Sequence, residues 1–175
     1  IPVESTPGET RIAATPDTVK KFISLGCSVS VECGAGVASG YLDAAYSEQG
    51  AALVAVGDAS TWSQADILLC VQPPTSENLR RLHQGALVVG LMAPYANAAL
   101  ATTLQQGGLS AMSLELLPRI SRAQSADALS SQANIAGYKS VLLASSALDR
   151  YFPMLMTAAG TVQPAKVVIL GAGVA

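Results

Sequence analysis

Short apolar runs alternate with helix-forming stretches along the first 117 residues, and this alternation constrains the fold more than any other feature. Five runs at similar intervals are the strand candidates: residues 27–33, 51–57, 66–72, 85–93 and 109–117. Runs of this length that are rich in Val, Leu and Ala are typical of buried strands. Because most lack a polar face and helices separate them, they predict a parallel sheet covered on both sides, with right-handed crossovers. The predicted fold class is α/β, a Rossmann-like or flavodoxin-like lobe in which helices flank the parallel sheet.

The stretches between these runs are the helix candidates. Residues 15–26 form the clearest one, because Thr15 can cap the helix, Pro16 suits its first position and Gly26 ends it. Three more candidates follow: residues 41–50, 75–85 and 96–108.

A membrane-spanning helix is one explanation for a chain that is 50% hydrophobic and only 13% charged. Residues 82–114 contain no Asp, Glu, Lys or Arg, but polar side chains, Pro94 and the Gly107–Gly108 pair interrupt them. A spanning helix needs about 20 mostly apolar residues in a row. We therefore interpret this stretch as two buried elements joined by a turn.

Charge and cysteine content bear on other classes of function. A net charge of −2 provides no basic face for a phosphodiester backbone, so we do not expect a nucleic acid partner. Cys27, Cys33 and Cys70 have no metal-ligand spacing, and we expect small buried hydrophobic residues in a reducing compartment. No metal site is predicted.

The pattern changes after Leu117. Residues 125–148 predict one long helix, and residues 151–165 an irregular connector between two lobes. Residues 166–170 are strongly β-prone and lead into Gly171-x-Gly173. Such a turn begins a dinucleotide-binding motif, because its first glycine allows a tight bend and its second lets a pyrophosphate approach the backbone. The rest of that motif is missing, so the turn alone is a weak signal and we expect a fragment of a longer protein.

Residues 118–138 are unusually polar for this chain. Arg119, Gln124, Asp127 and Ser130 carry a cation, an amide, a carboxylate and a hydroxyl, groups that can bind a carboxamide and a ribose phosphate. Simpler roles fit the same spacing. Asp127 can cap the helix that follows, and Ser130 can lie on a solvated helix surface.

Four segments resemble, in the same order, the NAD(H)-binding alpha subunits of the proton-translocating nicotinamide nucleotide transhydrogenases: residues 7–16, 31–41, 118–138 and 152–175. The resemblance covers essentially the whole chain. The segments PGETR and GAG are shared with the related alanine dehydrogenases, whereas the Arg-x4-Gln-x2-Asp pattern that begins at Arg119 distinguishes the transhydrogenases. The resemblance implies an N-terminal α/β lobe of residues 1–129. Residues 130–175 would then be a bridging helix and the start of a Rossmann NAD-binding lobe.

The resemblance also implies the site. Four residues would surround the nicotinamide of NAD(H): Arg119, Gln124, Asp127 and Ser130. Ile120 and Ser121 would also belong to the cofactor-binding segment. The pyrophosphate would rest on a turn of four residues: Gly171, Ala172, Gly173 and Val174. Gln124 and Asp127 are the expected catalytic residues. Gln124 would orient the dihydronicotinamide and Arg119 its carboxamide side, while Asp127 and Ser130 would contact the ribose and the carboxamide.

The implied reaction is direct hydride transfer from NADH to NADP⁺ held by a separate domain, coupled to proton movement across a membrane. The protein must therefore position two rings and exclude water. The implied partners are the NADP(H)-binding domain, the membrane proton-channel domain and a second copy of this subunit. The implied location is the cytoplasmic side of the inner or plasma membrane, or the mitochondrial matrix in a eukaryote.

Two other functions remain open. One is an alanine-dehydrogenase-like, NAD-dependent oxidoreductase acting on a small amino or keto acid, and the other is a regulatory nucleotide-binding module without chemistry. The first is disfavoured because Cys70 stands where relatives commonly carry a lysine, and residues 90–97 lack the histidine of alanine dehydrogenases. Arg11 is retained, and we expect it to tie its loop to the lobe. We expect His83 to be solvated.

Overall fold

A computed structural model describes all 175 residues, which form two compact units, Ile1–Pro118 and Arg119–Ala175. The division of the chain into lobes at residue 129 stays a prediction.

The first unit contains five helices and five strands. The helices are α1 Pro16–Ser24, α2 Asp43–Glu48, α3 Ala59–Gln64, α4 Ser76–Leu79 and α5 Ala98–Gln106. The strands are β1 Ser30–Glu32, β2 Ala52–Val54, β3 Ile67–Leu69, β4 Leu87–Gly90 and β5 Ser110–Ser113. Short 3₁₀ turns cover Val37–Ser39 and Leu114–Leu116. Each predicted run contains one observed α-helix or strand, always shorter than the run, and the run of residues 109–117 also contains the second 3₁₀ turn. Helix α3 lies outside every predicted segment, because ASTWSQ has no apolar periodicity.

All strand pairs of the first unit are parallel, which confirms the predicted α/β class. Strand β1 pairs with β2, and β3, β4 and β5 form a second ladder in that order. Residues 1–3 run beside β1, where the Glu32 N–H donates to the Ile1 carbonyl at 3.0 Å. Parallel strands bring their carboxyl ends to the same edge of a sheet, and ligands of α/β proteins usually bind there.

Side-chain caps begin most helices of this unit. The Thr15 hydroxyl accepts from the Thr18 N–H, and Pro16 opens α1, as predicted. The Asp58 carboxylate accepts from the Thr61 N–H at 2.8 Å and begins α3. After α1, Gly26 adopts a φ of 88°, a left-handed conformation that glycine tolerates without strain.

Two apolar clusters form the core of the first unit. One surrounds Val31 and Tyr46, and the other surrounds Leu68, Leu79 and Val88. The Tyr46 hydroxyl donates to the Ala14 carbonyl at 3.0 Å, so this buried phenol has a partner.

The uncharged stretch of residues 82–114 folds as a strand, a helix and a strand: β4, α5 and β5. The structure therefore corrects the prediction of two elements, while the turns that separate them lie where polar residues and glycines interrupt the sequence. No helix in the chain combines the length and the hydropathy that crossing a membrane requires.

The cysteine prediction holds for one residue and is wrong for two. All three thiols are free, but only Cys70 is buried. Cys27 and Cys33 are exposed and lie outside β1, Cys27 in the connection before the strand and Cys33 in the turn after it.

The second unit is built on α6, Ala128–Ala147, which replaces the predicted helix of residues 125–148. A 3₁₀ helix, Ser121–Ala126, precedes it. The predicted irregular connector is wrong in some of its residues, because β6 Leu155–Thr157 and β7 Gly160–Val162 form an antiparallel hairpin. A Gly160 φ of 130° lies outside the usual range of other residues and suits a tight reversal.

The strand predicted at residues 166–170 is not formed. Its apolar side chains are exposed, with Leu170 95% accessible, and no neighbouring strand supplies ladder hydrogen bonds. A strand without a partner leaves its backbone groups unpaired, so β-propensity alone does not produce one.

Glu32 generates the first prediction. Its side chain is buried and accepts from the Val3 N–H, the Gly57 N–H and the Trp62 indole N–H at 2.8 to 2.9 Å. Replacing Glu32 with Ala leaves these donors unmet, so we expect a loss of about 3 kcal/mol in the free energy of unfolding. Urea denaturation monitored by circular dichroism measures this loss.

The matched control is Glu48→Ala at an exposed position near the end of α2, which should change stability by less than about 0.5 kcal/mol. Equal effects of the two substitutions would contradict the role given to Glu32.

Candidate functional site

Asp127 is the structural centre of the polar segment. It is the N-cap of α6, and its Oδ1 accepts from the Ser130 N–H at 2.9 Å. Its Oδ2 accepts from the Ser130 hydroxyl at 2.6 Å. These bonds satisfy an otherwise free helix donor and fix both side chains relative to the helix. The capping role considered for Asp127 from sequence is thus observed, and Ser130 is only partly exposed.

The electrostatics of this contact favour a charged Asp127. The hydroxyl of Ser130, its backbone N–H and the positive charge of Arg119 together lower the pKa of Asp127 below its usual value. A carboxylate oxygen has more than one lone pair, so each oxygen can accept another hydrogen bond. The structure therefore brings Asp127 and Ser130 into contact, with Arg119 near enough for its charge to act on Asp127.

Gln124 lies in the 3₁₀ helix that leads into the cap. Its carbonyl accepts from the Asp127 N–H at 3.3 Å, while its exposed side-chain amide has no hydrogen bond within the chain. Ile120 and Ser121 are exposed at the start of the same helix. The amide of Gln124 can therefore donate to and accept from a ligand without breaking a protein contact.

The glycine turn is exposed along its whole length. Gly171 adopts a φ of 101°, so the bend uses a conformation that other residues rarely adopt. A Cβ at Gly173 would meet no atom within 4 Å. Ala172 and Val174 complete the turn, and its backbone is open to a ligand.

Arg11 occupies a different environment in the first unit. Its guanidinium donates to both oxygens of Glu9, from Nε at 2.7 Å and from a terminal nitrogen at 2.6 Å. Glu9 also accepts from the Gln72 side chain at 3.1 Å. The hydrogen bonds from Arg11 lower the pKa of Glu9 from 4.5 to about 2. Arg11 therefore forms an ion pair within its own loop, and the bond from Gln72 to Glu9 links this loop to the segment after β3. The guanidinium side that contacts Glu9 is not open to another carboxylate.

Cys70 lies at the end of β3 and lines a small cavity with Glu4 and Gln72. Burial, assisted by the nearby Glu4 carboxylate, raises the pKa of the Cys70 thiol to about 12. A neutral thiol cannot hold a carboxylate as a lysine ammonium would.

His83 is partly exposed, and its Nε2 lies 3.5 Å from the exposed carboxylate of Asp66, in line with the expected solvated position.

A set of internal carboxylates at the carboxyl ends of the strands was not predicted from the sequence. Glu4 accepts from the Val71 and Gln72 N–H groups after β3, at 2.6 and 3.0 Å. Glu115 accepts from the Met92 and Ala93 N–H groups after β4, at 2.9 and 2.8 Å. Glu32 accepts from the Gly57 N–H after β2.

Backbone N–H groups in these positions are the ones that bind ligand anions in α/β proteins. In the first unit, carboxylates of the chain itself occupy several of them. The available signal was a lone Glu adjoining an apolar run in VES, VEC and LEL. No group of three or more His, Cys, Asp or Glu residues is arranged to hold a metal ion.

Comparison with known proteins finds related sequences that align with the whole chain. The family profile described as "Alanine dehydrogenase/PNT, N-terminal domain" matches residues 1–136, and the "C-terminal domain" profile matches residues 140–175. The chain is 40% identical over 175 aligned residues to "NAD(P) transhydrogenase subunit alpha" of Haemophilus influenzae, covering 100% of the chain and 34% of that protein. It is 31% identical to "Alanine dehydrogenase" of Mycobacterium tuberculosis, with 100% and 47% covered.

Solved structures give the same result. A transhydrogenase from Sinorhizobium meliloti matches with a TM-score of 0.90 at 44% identity, covering 98% of this chain and 51% of that chain. An L-alanine dehydrogenase matches with a TM-score of 0.83 at 27% identity, covering 99% and 48%. The chain thus spans between a third and a half of the length of these relatives.

The Arg11–Glu9 pair generates the second prediction. The folded pKa of Glu9 is depressed, so the pairing stabilises fully above the ordinary value of 4.5 and is lost as pH falls towards 2. We expect Arg11→Met to cost about 1.5 kcal/mol at pH 7, the low end for charged hydrogen bonds, because the Arg11 side chain is 40% exposed and solvent screens the pair. The cost should shrink steadily below pH 4.5. Urea denaturation across this pH range measures it.

Arg80→Met, at an exposed arginine after α4, is the matched control and should change stability by less than about 0.5 kcal/mol at either pH. A cost of Arg11→Met that stays constant with pH would contradict the pairing.

Proposed function

The chain belongs to the alanine dehydrogenase/PNT family, and on this premise we propose that it is the NAD(H)-binding segment of a proton-translocating NAD(P) transhydrogenase. The observation that carries the proposal is the contact of Asp127 with Ser130 at the start of α6, beside the charge of Arg119. Higher identity to transhydrogenase alpha subunits than to alanine dehydrogenases supports it.

The polar segment has the groups that the nicotinamide half of NADH requires. A carboxamide offers two N–H donors and one carbonyl acceptor, and the ribose offers hydroxyls. Asp127 provides an acceptor, Arg119 provides donors, and Gln124 provides both without losing a protein contact. Ser130 holds the Asp127 carboxylate, while Ile120 contributes an exposed apolar surface and Ser121 a hydroxyl.

The glycine turn is the proposed seat of the diphosphate. Gly171, Ala172, Gly173 and Val174 expose backbone N–H groups, and the glycines allow a phosphate to approach them closely. The bound dinucleotide supplies a hydride from its C4 atom, and the protein contributes orientation and exclusion of water.

The partners follow from direct transfer. The acceptor NADP⁺ is held on a separate NADP(H)-binding domain, and a membrane domain conducts the coupled protons. We propose that this segment is peripheral, dimeric and located on the cytoplasmic face of the membrane, or in the matrix of a eukaryotic mitochondrion. The name of the H. influenzae relative, a subunit alpha, supports an assembly of several chains.

An alanine-dehydrogenase-like activity is the second candidate, because relatives with that name match the whole chain. The geometry of the first unit disfavours it. Glu9 binds the guanidinium of Arg11, and Cys70 is a neutral buried thiol. A site for an amino acid carboxylate needs a cation that is open to it.

One assay separates these functions. The full-length protein, mixed with the NADP(H)-binding domain, should transfer hydride from NADPH to an acetylpyridine analogue of NAD⁺. Formation of NADH that depends on alanine would establish the second candidate instead. Inactivity in both assays would favour a regulatory nucleotide-binding module.

Gln124 generates the third prediction. Gln124→Asn keeps the amide but withdraws it by one methylene, so the ring should be held in a less productive orientation. We expect hydride transfer to fall by about 10²-fold, because misplacement of this size is costly in positioning catalysis. The NADH dissociation constant should change by no more than about fivefold, the equivalent of one hydrogen bond.

Stopped-flow transfer and equilibrium dialysis measure the two quantities. Gln163→Asn, an exposed glutamine of the same unit, is the matched control and should alter neither. If rate and affinity fell in proportion, or if neither moved, the positioning role of Gln124 would be wrong.

A further inference from the structure

Gly137 is a glycine in the interior of a long helix. It lies near the middle of α6, where glycine costs helix stability relative to alanine. Its place there calls for a reason other than backbone conformation, because it is helical and has no positive φ.

The reason is a close backbone contact. A Cβ placed on Gly137 would lie 2.6 Å from the Ala175 carbonyl carbon and 3.0 Å from the Ala175 Cα, and closer still to the carbonyl oxygen. Real Cβ atoms are not found so close to a backbone, and no flexible side chain is present to yield. A Cβ at Gly171 or Gly173, by contrast, would meet no atom within 4 Å, and at Gly171 it is the φ of 101° that favours glycine.

Ala175 directly follows the glycine turn, so this contact brings the end of the turn against α6. Gly137 and Ser130 are seven residues apart, which is close to two helical turns, and both are partly buried. They therefore share one face of α6, about 10 Å apart along its axis. That face has the Asp127–Ser130 contact at one end and the seat of the glycine turn at the other.

From this geometry we infer that Gly137 is a positioning residue for nucleotide binding, which sets how closely the diphosphate-binding turn approaches α6. The inference rests on the proposed function. Gly137 touches no ligand; it acts through the backbone of the segment that follows Val174. In dinucleotide-binding folds a glycine of the turn itself often permits close packing against a helix. Here the missing side chain is on the opposing helix.

Gly137→Ala in the full-length protein tests the inference. The added methyl should displace the turn, so the dissociation constants of NADH and of ADP-ribose should both rise by at least about tenfold, as after loss of one hydrogen bond to a charged group. The KM for NADH should rise with them. The kcat at saturating NADH should stay within about twofold, because the ring contacts at Asp127 are untouched.

Thermal unfolding distinguishes positioning from a structural role. Alanine is the better helix former, so the unfolding midpoint of Gly137→Ala should not fall. A midpoint that falls, with a reduced kcat and an unchanged KM, would overturn the inference. Ala136→Ser, at an exposed neighbouring position of α6, is the control and should change none of these values.

Two further results separate this inference from the proposed function. If the unmodified protein failed to bind NADH, the proposed function would fall. If it bound NADH and Gly137→Ala bound equally well, only the inference would fall.

Should Gly137→Ala not fold, hydrogen exchange of the unmodified protein decides: ADP-ribose should slow exchange both at residues 171–174 and at residues 137–141. Slowing at the turn alone, or at neither segment, would overturn the inference.

Discussion

The bond between the Asp127 carboxylate and Ser130 is the interaction on which this account depends. It satisfies one of the first N–H donors of a 20-residue helix and holds an anion at the end where the helix dipole favours one. The same bond lowers the pKa of Asp127 and so favours the charged form of its carboxylate. One local contact therefore begins α6 and orients the side chains of Asp127 and Ser130. The Asp127 carboxylate can cap the helix and still accept a hydrogen bond from a ligand, because its oxygens keep unused lone pairs that face solvent.

The two units use carboxylates in opposite ways. In the first unit, Glu4, Glu32 and Glu115 accept the backbone N–H groups at the carboxyl ends of the strands, and Glu9 binds Arg11. These groups stabilise the lobe and leave few donors for a small-molecule anion. In the second unit, the side chain of Gln124 and the backbone of the glycine turn remain open. Under the proposed function, this contrast accounts for a nucleotide site without the amino acid site of the related alanine dehydrogenases.

The fold class could be predicted from the sequence because hydrophobic periodicity and helix caps are local signals. The five runs, Thr15 as a cap and the parallel ladders all followed from them. Prediction failed where structure depends on partners distant in sequence. The strand at 166–170 needs a neighbouring strand, and the carboxylates of the first unit bind N–H groups up to 68 residues away. The proximity of Arg119, Asp127 and Ser130 was expected from residue types and resemblance, whereas the role of Gly137 depends on a backbone contact that no pattern encodes.

The most direct test is a crystal structure of the full-length protein with NADH bound. The account predicts that the carboxamide and ribose of the nicotinamide half lie within hydrogen-bonding distance of Arg119, Gln124 and Asp127, with the diphosphate against residues 171–174. A dinucleotide bound instead at the carboxyl edge of the first unit, or a nicotinamide ring remote from Asp127, would contradict it.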